Sequence, residues 1–552
     1  MSGTLLRGGR IRADSSGAVV ESIGVRDGRV VAPTDDRFDR VIDLDGAWVV
    51  PGLIDTHPHL LHFSVASAGL ADLGRVRDHS EIITAIGEVA SARAPGDWVM
   101  ATPVGEPHYF FRRGCHDLVE GDLPDRHALD RATDRHPVLI QAWSPTMPNV
   151  CAFNSRGLAE VGIDERTPDR VADVWIEKDA AGWPTGRLRG AVTTNYNTDP
   201  FFRDILLKLP APAPDLVAPA TLAGIGAHHA NGVTAVYEPH AMEARHIDVY
   251  RRLRDAGRLT MRVKAVPEYQ RFTRPSDPMK SLDELADTLR GALAGVDLED
   301  DWVRAEGITV SATGTCAPGN MRWPTPYLDA FGHETEGHWF VSEGAVDQAV
   351  GFCAETGLQL NFCAMGPSEH ELFLSAVERL GARRGVVQHG AIMPLAHARR
   401  WAAAGFRQTV CCGFTWGKGD VYRRAFGETV LADLNPLRRL LDAGITLAAA
   451  SDWGPKSPWE QMWLAETHLL GRSGLRNDGP DQVVTRAEAF AMWTAGGAAV
   501  LDWPQLGALT PGAYADLVVL DRDPLTCALD DLPDVVVQAT MTDGNLVFGS
   551  LD

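Results

Sequence analysis

Val49-Val50-Pro51-Gly52-Leu53-Ile54-Asp55-Thr56-His57-Pro58-His59 is the stretch on which the fold reading turns. An apolar run ends in two histidines, His57 and His59, separated by one residue. In extended backbone, side chains at i and i+2 share a face, so both imidazoles can aim at one cation. A lone histidine is ordinarily a surface or satisfied core residue. A His-X-His pair directly after a buried strand reads as a pair of metal ligands.

Downstream of this stretch, strand-like apolar runs alternate with segments of helical period. The strand candidates are Pro137 to Ala142, Gly232 to Tyr237, Thr260 to Val266, Leu358 to Phe362, Gly385 to Gln388 and Ile445 to Ala450. Helical stretches such as Ala345 to Glu355 and Leu434 to Ala443 separate several of them, which is the pattern of a parallel α/β barrel. A segment of about 65–210, rich in Pro, Asp and Arg, is too long for one barrel connection and reads as an inserted cap, with Pro210 to Pro214 as its returning linker.

Both ends of the chain have a different character. Short β-branched runs flank Asp27-Gly28 near the start and Asp543-Gly544 near the finish, and Asp-Gly between such runs favours a tight hairpin. The expected architecture is therefore α/β, a TIM-like (β/α)8 barrel over 51–504, with a small β-sandwich domain built from 1–50 and 505–552.

Composition bounds the function. With 552 residues, 45% hydrophobic and 23% charged, the chain can bury a large core. A formal net charge of −21 disfavours nucleic acid and anionic membranes as partners, because phosphate binding draws on clustered Lys and Arg. The expected ligand is a small molecule. Eight scattered cysteines, with Cys411–Cys412 the only close pair, suggest neither a disulfide framework nor a CxxC zinc module. The amino terminus has no signal-peptide core, and no apolar run is long enough to span a bilayer, so a cytoplasmic location is expected.

With these motifs in place, PGLIDTHPH resembles the first metal motif of the amidohydrolase superfamily, and the likeness extends over nearly the whole chain. Gly232-Val233-Thr234 resembles that superfamily's Gly-Val-Thr strand, Gln388-His389-Gly390 its sixth-strand histidine, and Ser451-Asp452-Trp453 its eighth-strand Ser-Asp. Thr485 to Phe490 and Gly512 to Asp521 are similar to the closing helix and strand of the "amidohydrolase 3" branch, which includes N-substituted formamide deformylases. The resemblance implies that His57 and His59 are metal ligands, His389 a ligand or carbonyl polariser, and Asp452 both ligand and proton shuttle. It also implies a divalent metal, zinc first with manganese, cobalt or iron as alternatives, and leaves room for a homodimer. Asp452 has independent chemical sense, since it follows Leu447 to Ala450 at a strand end, where barrel active sites are built. Its structural alternative is a helix N-cap before Gly454-Pro455, and that of His389 is a satisfied core histidine.

The sequence departs from the branch pattern at two places. Thr309 stands where the branch carries a fourth-strand lysine, carbamylated to bridge two metals, and Cys363 stands where it carries a fifth-strand histidine. Cys363 reads either as a thiolate ligand or as a small buried residue. Glu238 and His240, two apart just past a strand, can replace the missing bridge or can hydrogen-bond from behind the ligands. Without the carbamate, one metal per chain is expected. His228-His229 lies in a helical stretch and reads as structural. Trp143, Trp323, Trp416 and Trp453, near strand ends, are candidates for the wall of an apolar substrate pocket, or plain packing.

The function expected is hydrolysis of a C–N bond in an amide, formamide, carbamate or cyclic amide by metal-activated water. Decarboxylation, isomerisation or deamination on the same scaffold is the first alternative, and a metal-poor ligand-binding relative the second.

Overall fold

The computed structural model describes residues 3–15, 18–34, 38–105, 112–143, 147–270 and 279–551. Eight short strands follow one another along the middle of the chain: β1 (Leu53–Asp55), β2 (Val233–Met242), β3 (Arg262–Pro267), β4 (Ile308–Ser311), β5 (Leu360–Ala364), β6 (Gly385–His389), β7 (Arg407–Val410) and β8 (Leu447–Ala449). Their residues are almost all buried, as strands covered on both faces must be. β1, β2 and β3 pair in parallel, with Val303–Ala305 beyond β3, and β4 to β8 form a second parallel sheet in chain order. The sheets meet at both margins. Glu268 bridges Thr309 in parallel, with Tyr269 N donating to Thr309 O at 2.7 Å, and Thr56 N donates to Ala449 O at 3.1 Å. The fold is α/β and TIM-barrel-like.

Helices return the chain between strands, among them Ala244–Asp255, Glu343–Thr356, Pro367–Leu380, Leu395–Ala403 and Gly413–Phe426. Glu343–Thr356 shows why they form. Ser342 caps it by accepting from Ala345 N, Gly357 ends it in a left-handed conformation at φ 75°, and its buried stripe of Ala345, Val346, Ala349, Val350 and Cys353 packs on the strands. The helix expected over Leu434 to Ala443 is shorter, Leu437–Asp442, because Pro436 disfavours helical backbone at the residue before it, and Asn435 stands in the left-handed region at φ 39°.

Both termini join one eight-stranded mixed sheet. Trp48–Pro51 lies between Gly3–Arg12 from the start of the chain and Leu517–Leu520 from its end. Both Asp-Gly turns form as expected: Asp27-Gly28 joins Val19–Arg26 to Arg29–Val31, and Asp543-Gly544 joins Val537–Thr542 to Asn545–Gly549, with φ between 50° and 73° at all four residues. The sheet is fastened to the barrel-like core by Arg262, which is fully buried. Its guanidinium contacts Asp516 at 2.8 Å and Asp543 at 3.0 Å.

The long insertion has its own six-stranded sheet and two apolar clusters, one around Ile82, Ile86 and Val99 and one around Phe153, Leu188 and Phe202. Here one expectation fails. The Pro137 to Ala142 run is a strand, Val138–Ile140, but it pairs with Val99–Ala101 and Asn149–Phe153 inside this sheet and not in the barrel-like core. Its burial on both sides mimics a barrel strand in composition, and pairing with a distant partner leaves no local trace.

Candidate metal centre

The ends of β1, β6 and β8 bring three ligand-bearing residues together. The candidate ligand atoms of His57, His389 and Asp452 lie within 4.8 Å of one another, and all three residues are buried. His59 joins from the side, its Nε2 3.2 Å from His57 Nε2 and 3.4 Å from Asp452 Oδ1. His389 Nδ1 stands 3.6 Å from Asp452 Oδ2.

The backbone is bent to achieve this. His59, His389 and Asp452 have φ of 49°, 70° and 45°, in the left-handed region that residues with a Cβ seldom occupy. Such conformations gather at functional sites because the surrounding structure must hold them. His57 and His59 therefore do not converge through an extended strand, as the spacing suggested. β1 ends at Asp55, and the left-handed turn at His59, which also starts helix Leu60–Ser67, swings its ring back. Asp55 fixes the junction, its Oδ1 accepting from His57 N at 3.1 Å and from Ser451 N at 3.0 Å. Asp452 N donates to His57 O at 2.8 Å. Asp452 is not a helix cap, because the next helix starts at Pro458 with Ser457 as its cap.

Electrostatics suit a cation. Burial pushes the His57 imidazole down to about 3, and burial aided by neighbouring histidines holds His59 and His389 well below the usual range, so all three are neutral at neutral pH. Neutral imidazole is the form that binds metal. Burial raises Asp452 to about 6, against the pull of Lys418 and Lys456. Among the described residues, His389 Nδ1 and Asp452 Oδ1 are buried without a hydrogen-bond partner. Orphaned buried atoms of this kind are costly unless something fills the space between them. His57 Nδ1 faces Gln388 Oε1 at 3.0 Å, and in the tautomer where it donates, Nε2 is bare toward the cluster.

The other candidates fall on either side of this boundary. Cys363, at the end of β5, lines the same cavity as His59, His389 and Asp452, with its Sγ 3.5 Å from His240 Nδ1. His240 is held in turn by Glu268 at 2.9 Å, and although burial opposes it, Cys363 and Glu268 carry its pKa well above the usual value. Glu238 is not brought into the cluster. Its Oε1 accepts from Leu61 N at 3.0 Å and Tyr250 Oη at 2.7 Å, bracing the helix after His59. Thr309 is buried, and its hydroxyl donates to Pro239 O. His229 is structural, as expected, bonded to Val233 O and Thr260 Oγ1.

Of the four tryptophans, Trp453 lines the cavity and packs with Phe63 and Trp143 into one aromatic wall. Trp323 stacks on Phe426 at 3.8 Å and Trp416 packs under Gly471, so these two serve packing. Several residues at the cavity had no role in the sequence reading: Tyr196, Lys418 and Glu369 line it, and Lys456 donates to Pro58 O and Ser451 Oγ beneath it. None sits in a motif. A four-residue step from Phe414 to Lys418 was the one local signal.

Residues 40–548 match the family model described as the amidohydrolase family. This chain belongs to the amidohydrolase family. It is thereby a hydrolase of carbon–nitrogen bonds other than peptide bonds. Among curated proteins it is similar to the N-substituted formamide deformylase of Arthrobacter pascens, at 26% identity over 92% of this chain and 89% of the relative. Among solved structures it resembles an uncharacterized metal-dependent hydrolase of Pyrococcus furiosus, with a TM-score of 0.68, 19% identity, and coverage of 95% of this chain and 100% of the other. It also resembles a zinc complex of atrazine chlorohydrolase from Arthrobacter aurescens TC1, with a TM-score of 0.54, 15% identity and coverage of 99% and 96%. Among the described residues no helix is long and apolar enough to cross a membrane.

Proposed function

We propose that this amidohydrolase cleaves a C–N bond in a small amide, formamide, carbamate or cyclic amide, using one divalent cation held by His57, His59, His389 and Asp452. The observation that carries the reading is the convergence of neutral imidazoles and a carboxylate, two of whose buried atoms have no hydrogen-bond partner among the described residues. Zinc suits this nitrogen and oxygen donor set, and the similar chlorohydrolase was solved with zinc. When bound, such a cation supplies Lewis acidity and brings the pKa of water down to about 7.

The chain's own groups do the rest. Asp452, raised to about 6, is poised to accept a proton from the attacking water and return it to the leaving nitrogen. Asp55 and Gln388 hold His57 in place, and Phe63, Trp143 and Trp453 restrict water at the cavity wall. A single cation is favoured because Thr309 offers only a neutral hydroxyl, and the Glu238 carboxylate stands outside the cluster of His57, His389 and Asp452 with Oε1 bracing Leu61 N and Tyr250 Oη.

In architectural terms the reading is a closed (β/α)8 barrel over 51–504 with an inserted cap at about 65–210 and a β-sandwich of 1–50 with 505–552, in a cytoplasmic enzyme acting on a small molecule. The metal-to-protein ratio of freshly purified enzyme, followed by a panel of amides, formamides and carbamates, tests the proposal. One equivalent of metal and turnover of at least one class is expected. A metal-free protein that stays inactive after addition of zinc, manganese or cobalt would overturn it.

A further inference from the structure

Helix Gly413–Phe426 follows β7 and places Phe414 and Lys418 one turn apart on one face. The Phe414 ring packs against His389 with 5.4 Å between centroids, and the Lys418 ammonium lies 3.4 Å from the Phe414 centroid on the cavity side. A ligand imidazole, an aromatic ring and an ammonium are thus stacked in sequence beside the metal centre.

Lys418 differs from Lys264 and Lys456. Lys264 donates to Glu306, Gln359 Oε1 and Leu501 O, and Lys456 donates to Pro58 O, Ser451 Oγ and Asp452 O. Among the described residues nothing accepts a hydrogen bond from the Lys418 ammonium, and its one described close contact is the ring face of Phe414. Burial pulls it below the ordinary lysine range, with Asp452 opposing. Two carboxylates line the same cavity, and both are engaged elsewhere. Asp452 belongs to the metal cluster, and Glu369 accepts from Thr313 Oγ1, Met365 N and Gly366 N at the start of helix Pro367–Leu380. Among the described residues no carboxylate forms an ion pair with the Lys418 ammonium, which stays open to an anion on the cavity side.

We propose that Lys418 is the anchor for a carboxylate on the substrate, so that the enzyme acts on amides bearing an acid group close to the scissile bond. A single ammonium matches one unit of negative charge, whereas phosphate sites ordinarily recruit several donors or an arginine fork. The cavity volume of about 80 Å³ fits a compact acid. This inference rests on the amidohydrolase reading for the chemistry and on Lys418 alone for the recognition.

The test separates the two. Levulinate presents a ketone in place of an amide and carries a carboxylate, and methyl butyl ketone is its neutral counterpart. Neither has a C–N bond to cleave. Calorimetric titration of the zinc-loaded protein should show levulinate binding at least about tenfold more tightly than the ketone. Lys418→Met should weaken levulinate about 10- to 100-fold, leave the ketone within twofold, and leave zinc content unchanged, while Lys418→Arg keeps most of the preference. Equal affinity of the two probes, no binding of levulinate, or levulinate affinity that survives Lys418→Met would overturn the proposal; in the last case the acid sits on the metal. N-acetylglycine, which has the shape of levulinate, is then offered as a substrate: Lys418-dependent binding without any hydrolysis of this or other amides would sink the hydrolase reading and leave the anchor standing.

Discussion

Charged and polar groups are handled in opposite ways at the two ends of the barrel-like core. Near the strand starts, Lys264 is held by Glu306, Gln359 and Leu501, Arg384 joins Glu306 to Asp502, and Arg262 is clamped by Asp516 and Asp543. Near the strand ends, among the described residues, Asp452 Oδ1 and His389 Nδ1 have no hydrogen-bond partner and Lys418 meets only a ring face. The first arrangement fastens sheets and termini together. The second stores unmet polar demand that a metal and a substrate can satisfy, which is why it marks the site.

The sharpest way to break this contrast is to remove a ligand. His57→Ala or His59→Ala should abolish both tight metal binding and turnover while circular dichroism stays native, since these side chains stand at a strand end and not in the packed interior. Either variant keeping full metal and activity would remove the basis for the site. Asp452→Asn should come next, with turnover down about 10²–10⁴-fold from loss of proton transfer alone, because an amide cannot take the proton from water. A variant retaining more than about a tenth of wild-type turnover would reduce Asp452 to a supporting role.

The other end should respond in stability. Arg262→Met strands Asp516 as a buried charge and should cost about 3–5 kcal/mol in denaturant titration, with metal content per folded molecule unchanged. Loss of metal without loss of stability would contradict the division of labour. The mildest perturbation is pH. Metal needs Asp452 ionised, and its pKa is about 6 whereas His57 stays neutral down to about 3. Affinity should therefore be full above pH 6 and fall about tenfold per unit below it, with a one-proton slope. A flat profile from 7 to about 4.5 would mean that Asp452 is not a ligand.

Sequence made the local parts of this site legible and the non-local parts opaque. His57 and His59 announce themselves because two ligands share one short motif after an apolar strand, and His389 ends a strand while Asp452 follows shortly after one. Both Asp-Gly hairpins were readable because turn chemistry is set by adjacent residues. Val138–Ile140 was misplaced because strand composition does not encode which sheet receives it. Glu238 looked like a ligand by spacing, yet the irregular register of β2 after Glu238 accompanies a carboxylate bonded to Leu61 and Tyr250. Lys418 and Glu369 lie on helices after different strands and meet only in three dimensions. The left-handed conformations of His59, His389 and Asp452 had no sequence signal at all, since no glycine stands at those positions.

The central claim is that one cation is held where β1, β6 and β8 end. Anomalous scattering at the metal edge, on crystals of the protein loaded with zinc, tests it most directly. One full peak is predicted, about 2.0–2.2 Å from nitrogen or oxygen donors of His57, His59, His389 and Asp452. Two full peaks bridged by Glu238 or another side chain, or no peak among these four residues, would contradict it.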